Sequence, residues 1–153
     1  MNQEQQIAYD KAALLCSRSE KCTSEIEEKL KLWGLAADES EEVINKLISE
    51  KYLDNERFAK AYTKDKFRFN RWGKQKIAFM LRAKGISAEI IELAFTQIED
   101  SDYSDKLRRL IEDKAKTIKA KDKYDKRNKL MRFALGRGFE SAQIYAALKE
   151  SDI

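Results

Sequence analysis

Regularly spaced positive side chains offer the clearest chemistry in this 153-residue sequence. Residues 57–84 contain ten Lys or Arg and one acid, Asp65. Guanidinium and ammonium groups bind carboxylate and phosphate oxygens. Five of these cations follow at intervals of three or four residues, which predicts one line along a helix: Arg57, Lys60, Lys64, Arg68 and Arg71. No acid lies in this line, so we expect no ion pair within it to relieve the repulsion between its cations. This unrelieved repulsion favours an anionic partner.

A second basic segment, residues 106–137, contains 13 basic and 4 acidic residues. Acidic segments precede both basic ones, so the charge alternates along the chain. A uniformly basic chain would suggest indiscriminate polyanion binding, whereas this alternation favours a partner of defined shape. A solvated surface that only keeps the protein soluble is the alternative interpretation. The predicted surface also includes Lys74, Lys76, Lys126, Arg127 and Arg132.

Aromatic side chains are interspersed with these charges. Their helical spacing predicts that six of them pack in the core: Phe58, Tyr62, Phe79, Phe95, Phe133 and Phe139. Trp72 has two interpretations. Exposed rings can stack on the bases of a single strand, or the indole can cover the junction at Gly73. We include Trp72 in the candidate binding surface.

Residues suited to catalysis or metal binding are scarce. The sequence has no histidine, the usual general base near neutral pH and a common metal ligand. Cys16 and Cys22 have no further Cys or His with which to bind zinc. No phosphate-binding GxGxxG or Walker loop occurs. We therefore expect no catalytic residue, no metal and no cofactor.

The sequence also bears on location. It shows no signal-peptide pattern at its start and no apolar stretch long enough to cross a bilayer. We therefore expect a cytoplasmic protein with reduced thiols that does not bind membranes.

A glycine-centred pattern that occurs three times predicts the elements that carry these residues. Gly34, Gly85 and Gly138 are each preceded, eight and four residues earlier, by apolar residues and followed by another. Apolar residues four apart lie on one helix face, and glycine suits the left-handed position that ends a helix. A serine follows each glycine as the expected N-cap of another helix: Ser40, Ser87 and Ser141.

A longer helix is predicted before each glycine pattern, over residues 3–18, 55–70 and 103–120. In the second of these, Phe69 is expected on the same apolar face as Phe58. The prediction is an all-α protein of about nine helices in an elongated, curved array. It would consist of three tandem three-helix repeats stacked on their neighbours, with boundaries at residues 1–52, 53–100 and 101–153.

Two segments resemble the RecX family of bacterial recombination regulators: "YLDNERFAKAY" (Tyr52–Tyr62) and "GKQKIAFMLRAKGIS" (Gly73–Ser87). The matching residues are Leu53, Asp54, Asn55, Phe58, Ala59, Gly73, Ile77, Leu81, Lys84, Gly85 and Ile86. The sequence departs from the family pattern at Lys74, where the family has proline, a residue that favours the first turn of a helix. Asp54 or Asn55 would cap the helix that begins in the first segment.

The resemblance implies a cytosolic protein of three three-helix repeats that acts in recombination, DNA repair and the SOS response. Such a protein would bind the RecA nucleoprotein filament and inhibit its ATPase and strand-exchange activities. It would bind single- or double-stranded DNA more weakly. We expect a monomer without enzymatic activity. The residues alone also allow a stand-alone DNA-binding helical module, or a scaffold for another acidic protein.

Overall fold

The computed structural model describes residues 1–153 and consists of nine α-helices without a β-strand. The helices are α1 (Gln3–Arg18), α2 (Thr23–Leu32), α3 (Ala37–Ser49), α4 (Asn55–Arg68), α5 (Lys74–Ala83), α6 (Ala88–Phe95), α7 (Asp100–Ala115), α8 (Lys123–Gly136) and α9 (Ser141–Glu150). The predicted all-α fold of nine helices is therefore confirmed.

The helices form three successive three-helix repeats: α1–α3, α4–α6 and α7–α9. Extensive helix–helix packing occurs within each repeat, and each has its own cluster of buried apolar side chains. Neighbouring repeats contact each other mainly through turns and helix ends, with Phe67 of α4 packed against the core of repeat 3 and Cys22 inside the core of repeat 2. The accessible surface is 9497 Å², against ~8,000 Å² for a compact monomer of this mass. This excess is consistent with an elongated arrangement.

Glycine turns close the second helix of every repeat, as predicted. Gly34, Gly85 and Gly138 have φ of 93°, 79° and 95°, values that glycine adopts without the steric cost of a Cβ. The next amide then donates to the carbonyl five residues earlier: Leu35 to Leu30 (3.1 Å), Ile86 to Leu81 (3.1 Å) and Phe139 to Ala134 (3.2 Å). This bond and the buried apolar residue after the glycine close the helix end.

Of the three predicted serine caps, only Ser87 is confirmed, since its hydroxyl accepts from the Ile90 amide. Ser40 lies inside α3, which begins at Ala37 because the Glu39 carboxylate accepts from the Ala36 amide (3.0 Å). Ser141 is the first residue of α9, and Glu140 holds the cap position. A serine near a helix start therefore does not fix its first residue.

Two first helices differ from their predicted ranges. α4 ends at Arg68 rather than Asn70, and α7 runs from Asp100 to Ala115 rather than from 103 to 120. Acidic Asp100 and Asp102 in the first turn of α7 favour the earlier start, because carboxylates stabilise a helix N-terminus. At the other end the Thr117 hydroxyl donates to the Lys114 carbonyl (3.3 Å), a local bond that competes with further helix.

The aromatic residues divide between core and surface. Phe58 and Phe139 are buried, while Tyr62, Phe95 and Phe133 are half-buried against the cores. Phe79 is 65% exposed and Phe69 is 74% exposed, so both expectations of core packing are wrong. Phe79 lies midway between the buried Ile77 and Leu81, and the turn of about 100° per residue directs it to the opposite side.

Candidate functional site

The predicted line of cations on α4 is partly neutralised by acids. The Arg57 guanidinium pairs with Glu20, which lies before α2, and donates to the carbonyls of Lys51 (3.1 Å) and Tyr52 (3.2 Å). The hydrogen bond to Glu20 raises the pKa of Arg57 further. Arg57 therefore fastens repeat 2 to repeat 1, and the expectation of a line without internal pairing is wrong at this residue.

Two further members of the line are also paired. Lys60 lies 3.4 Å from the Glu56 carboxylate, one turn earlier on α4. Arg71 lies beyond the end of α4 in a left-handed conformation (φ 55°), and its guanidinium pairs with Asp113 of α7 at 2.9 Å. Arg71 therefore does not continue the helical line. The partners Glu20 and Asp113 are remote in sequence, so helical spacing could not reveal them.

Lys64 and Arg68 are the two members of the line that stay free of ion pairs. Both are exposed on α4, and no carboxylate lies within ion-pair distance of either. Lys64 and Arg68 are therefore the two members of the α4 line that are available to an external anion.

Trp72 covers the turn between α4 and α5. The indole is half-buried, packs against the core of repeat 2 and meets the Tyr62 ring edge-on with centroids 6.5 Å apart. The ammonium groups of Lys66 and Lys76 lie 5.0 and 4.6 Å from its centroid. Cations on the ring occupy the faces that a base would use, so this geometry favours the junction-covering role.

The departure from the family pattern at Lys74 has a structural explanation. Lys74 is the first residue of α5, and its backbone N–H donates to the Tyr103 hydroxyl of repeat 3 at 2.9 Å. Proline has no N–H and could not make this bond. The Lys74 ammonium lies 4.7 Å from the centroid of the same ring. Lys74 therefore links repeats 2 and 3 as well as presenting charge.

Lys126, Arg127 and Arg132 lie on α8 of repeat 3. None of them forms an ion pair or a side-chain hydrogen bond, whereas neighbouring Lys129 pairs with Asp125 at 3.2 Å. The predicted cations therefore lie on two different repeats, those of α4 and α5 on repeat 2 and these three on repeat 3.

A cleft of about 490 Å³ lies where α4 faces α7 and contains two cations that the sequence analysis missed. Lys64 and Arg68 line its α4 side, and Lys106 and Arg109 line its α7 side. Both missed residues lie in the second basic segment, but no pattern in the sequence indicates that α7 faces α4. The four cations converge only through the fold.

The described chain contains no group of three or more His, Cys, Asp or Glu side chains arranged to hold a metal ion. None of its helices has both the length and the apolar character that a membrane crossing requires.

Family models of three RecX domains match successive parts of this chain. The model described as the first three-helix domain of RecX matches residues 8–47, the second matches 54–94 and the third matches 100–148. The matched segments correspond in order to the three repeats of the structure.

Individual relatives agree with these matches. A protein named "Regulatory protein RecX" from Vibrio campbellii is 33% identical over 141 residues, which are 92% of this chain and 89% of that protein. Its namesake from Clostridium perfringens strain 13 is 33% identical over 122 residues, 78% of this chain and 57% of the relative. The chain thus spans between 56% and 68% of the length of the clostridial relatives that it matches.

Solved structures show the same fold. The crystal structure of RecX from Lactobacillus salivarius superimposes with a TM-score of 0.88 at 26% identity, covering 97% of both chains. A second crystal structure, described as regulatory protein RecX, superimposes with a TM-score of 0.87 at 22% identity, covering 96% of this chain and 72% of the other.

Proposed function

Because this chain belongs to the RecX family of regulatory proteins, we propose that it binds the RecA nucleoprotein filament in the cytoplasm and inhibits its ATPase and strand-exchange activities. It acts as a monomer, through binding alone and without catalysing a reaction. Its contact with DNA is weaker than its contact with the filament.

The observation that carries this proposal is the set of cations left unpaired by the fold. Arg57, Lys60 and Arg71 pair with acids of the same chain. The remaining predicted cations make no ion pair and can meet acidic protein surface or phosphate: Lys64, Arg68, Lys74, Lys76, Lys126, Arg127 and Arg132. Among them, Lys74 and Lys76 also lie over aromatic rings. Their distribution over repeats 2 and 3 suits a partner that extends along the array, such as a filament.

The test is a charge reversal of the unpaired part of the α4 line. Lys64→Glu with Arg68→Glu should weaken inhibition of RecA ATPase by tenfold or more, because two favourable charge contacts become repulsive. ATP turnover by RecA on single-stranded DNA measures this, over a titration of the variant. Both residues are exposed, so helicity and thermal unfolding should stay unchanged.

A matched control reverses two cations in repeat 1. Lys29 and Lys31 of α2 are exposed and form no ion pair, so Lys29→Glu with Lys31→Glu makes the same change in net charge. This control should inhibit like the unchanged protein. Equal inhibition by both double variants would reject the α4 surface as the contact.

A stand-alone DNA-binding module is the second candidate, favoured by the unpaired cations of α8. Lysine and arginine contacts to phosphates give salt-dependent, sequence-independent binding. This candidate expects tight binding to naked DNA that weakens steeply with salt, and no preference for filaments. Titrating RecA–DNA filaments and bare DNA at two salt concentrations distinguishes the two functions, since our proposal expects the stronger binding to filaments.

A further inference from the structure

The cleft between α4 and α7 has two walls from different repeats. Thr63, Lys64, Phe67 and Arg68 form the α4 wall, and Asp102, Asp105, Lys106 and Arg109 form the α7 wall. Gln97 and Ile98, from the connection between α6 and α7, complete the lining. A volume of about 490 Å³ is within the range of small-molecule sites, roughly 300–1,000 Å³.

The α7 wall changes charge along its length. Asp102, Asp105, Lys106 and Arg109 are spaced by three, one and three residues, which places them on one helix face. The carboxylates lie towards the N-terminus of α7 and the cations lie one turn further. The cleft therefore has an acidic part followed by a basic part.

The charged groups of the cleft are largely unsatisfied within the protein. None of Lys64, Arg68, Lys106 or Arg109 forms an ion pair, and Asp102 forms neither an ion pair nor a side-chain hydrogen bond. Asp105 is the exception, since it lies 3.3 Å from Arg108. Only six of the 31 Lys and Arg residues of this protein form ion pairs, so unpaired cations are common. These four are distinguished by lining one cavity.

From this arrangement we propose that the α4–α7 cleft binds a free nucleoside phosphate. The phosphates contact Lys64, Arg68, Lys106 and Arg109, and the sugar hydroxyls or base amino groups donate to Asp102. This site goes beyond the regulatory function proposed above and does not rest on it, because it requires neither RecA nor DNA.

The acidic part of the cleft selects this ligand over other anions. A nucleic-acid strand lying along the cleft would place phosphates beside Asp102 and Asp105, and the like charges would repel. Inorganic polyphosphate has no donor for these carboxylates. A nucleoside phosphate has charge at one end and hydroxyl and amino donors at the other, which matches the polarity of the α7 wall.

Isothermal titration calorimetry of the full chain with ADP, in buffer without magnesium, RecA or DNA, tests the site. We expect saturable binding with one ADP per chain. Lys106→Gln with Arg109→Gln should weaken it by about tenfold or more, because each phosphate contact to a cation is a charge-assisted hydrogen bond. Lys29→Gln with Lys31→Gln, which removes two exposed cations of repeat 1, should leave the affinity unchanged.

Asp102→Asn distinguishes a nucleoside phosphate from a bare polyanion. It should weaken ADP binding roughly threefold by removing an ionised acceptor, and strengthen tripolyphosphate binding by a similar factor by removing a repulsive charge. If Asp102→Asn strengthens the binding of both ADP and tripolyphosphate, the proposal is overturned. It is also overturned if the cleft and control double variants lose equal amounts of ADP affinity. Absence of ADP binding, with or without binding of a twenty-residue oligothymidylate, would overturn it as well. Unchanged thermal unfolding of each variant without ligand confirms that the fold is intact.

Discussion

The two junctions between repeats use the same architecture with different chemistry. In both, the N-terminus of a repeat's second helix meets the glycine turn and first helix of the next repeat. At the first junction the contacts involve side chains: Asn55 accepts from the Thr23 amide (2.9 Å), and the Ser24 hydroxyl donates to the Lys84 carbonyl (2.7 Å). Glu25 and Lys84 add an ion pair at 3.2 Å.

The second junction is built mainly from backbone. The Gly73 amide donates to the Arg137 carbonyl (2.8 Å), and the Gln75 amide donates to the Gly138 carbonyl (2.9 Å). Between them, the Lys74 amide donates to the Tyr103 hydroxyl. The three amides at the start of α5 thus donate to acceptors in repeat 3. At other helix N-termini, capping side chains or water provide such acceptors.

The difference lies in how closely the two chains approach. Cys22 is the N-cap of α2 and Gly73 is the N-cap of α5. The cysteine side chain fits into the core of repeat 2, whereas a Cβ at Gly73 would lie 2.4 Å from the Gly138 carbonyl carbon. We infer that the first junction tolerates substitution and the second does not.

Gly73→Ala is the substitution with the largest expected effect on this comparison. The added methyl group would meet backbone atoms of Gly138 and Phe139 at 2.4–2.5 Å. One of the two backbone segments must therefore move, and the hydrogen bonds that the amides donate across the second junction lengthen. We expect a loss of about 3 kcal/mol in the free energy of unfolding, measured by urea denaturation.

Two other glycines serve as controls for Gly73. An added Cβ at Gly136 or Gly34 meets no atom within 4 Å. Gly136→Ala, at the end of α8, should be neutral or slightly stabilising, while Gly34→Ala should cost about 1 kcal/mol because its φ is positive. If Gly73→Ala costs no more than Gly34→Ala, close backbone approach does not determine the strength of the second junction.

Tyr103→Phe should have the next largest effect. The Tyr103 hydroxyl accepts from the Lys74 amide and donates to the Glu140 carboxylate at 2.7 Å. Its removal leaves two partly buried groups without their partner, which we expect to cost about 2 kcal/mol in the free energy of unfolding. Asn55→Ala removes the acceptor of the Thr23 amide at the first junction and should cost about 1 kcal/mol.

Chemical denaturation of both variants in the same buffer measures this pair. Equal losses of unfolding free energy in the two variants would mean that the Tyr103 hydroxyl contributes no more than the Asn55 side chain does at the first junction. A larger loss in Asn55→Ala would contradict the distinction between the two junctions. Solvent accessibility supports the expected order, because Tyr103 is buried and Asn55 is half-buried.

The sequence predicted the repeats because their signals are local. Gly34, Gly85 and Gly138 end helices through their own backbone conformation, and apolar residues four apart lie on one face wherever the helix goes. Helix limits were less predictable, since the start of α3 depends on Glu39 and not on Ser40. Competing local bonds decide such limits within a few residues.

The candidate site was predictable in composition and not in arrangement. The residues of the α4 line were identified, but their ion pairs with Glu20 and Asp113 join residues 37 and 42 positions apart. Predicting that Lys106 and Arg109 line the cleft also requires the position of repeat 3 relative to repeat 2. Contacts between repeats leave no periodic signal in one sequence, so spacing alone could not predict them.

The smallest expected effect is the pH dependence of the first junction. Burial of Glu25 opposes its ionisation, but the Cys22 amide and Lys84 outweigh it and hold its pKa below the ordinary 4.5. A carboxyl group with a lowered pKa stabilises the fold above its ordinary pKa, and this contribution is lost as the pH falls through the folded-state pKa.

Glu25→Gln tests this contribution because it keeps an acceptor oxygen for the Cys22 amide and removes the charge. At pH 7 the variant should be less stable than the unchanged protein by no more than ~1 kcal/mol, since the pair with Lys84 is partly exposed. The difference should shrink towards zero as the pH falls well below 4.5. Urea denaturation at pH 7 and pH 3 measures it. If the difference in unfolding free energy is the same at both pH values, the ion pair with Lys84 does not contribute, because that pair exists only while Glu25 is ionised. The first junction would then depend on its neutral hydrogen bonds alone.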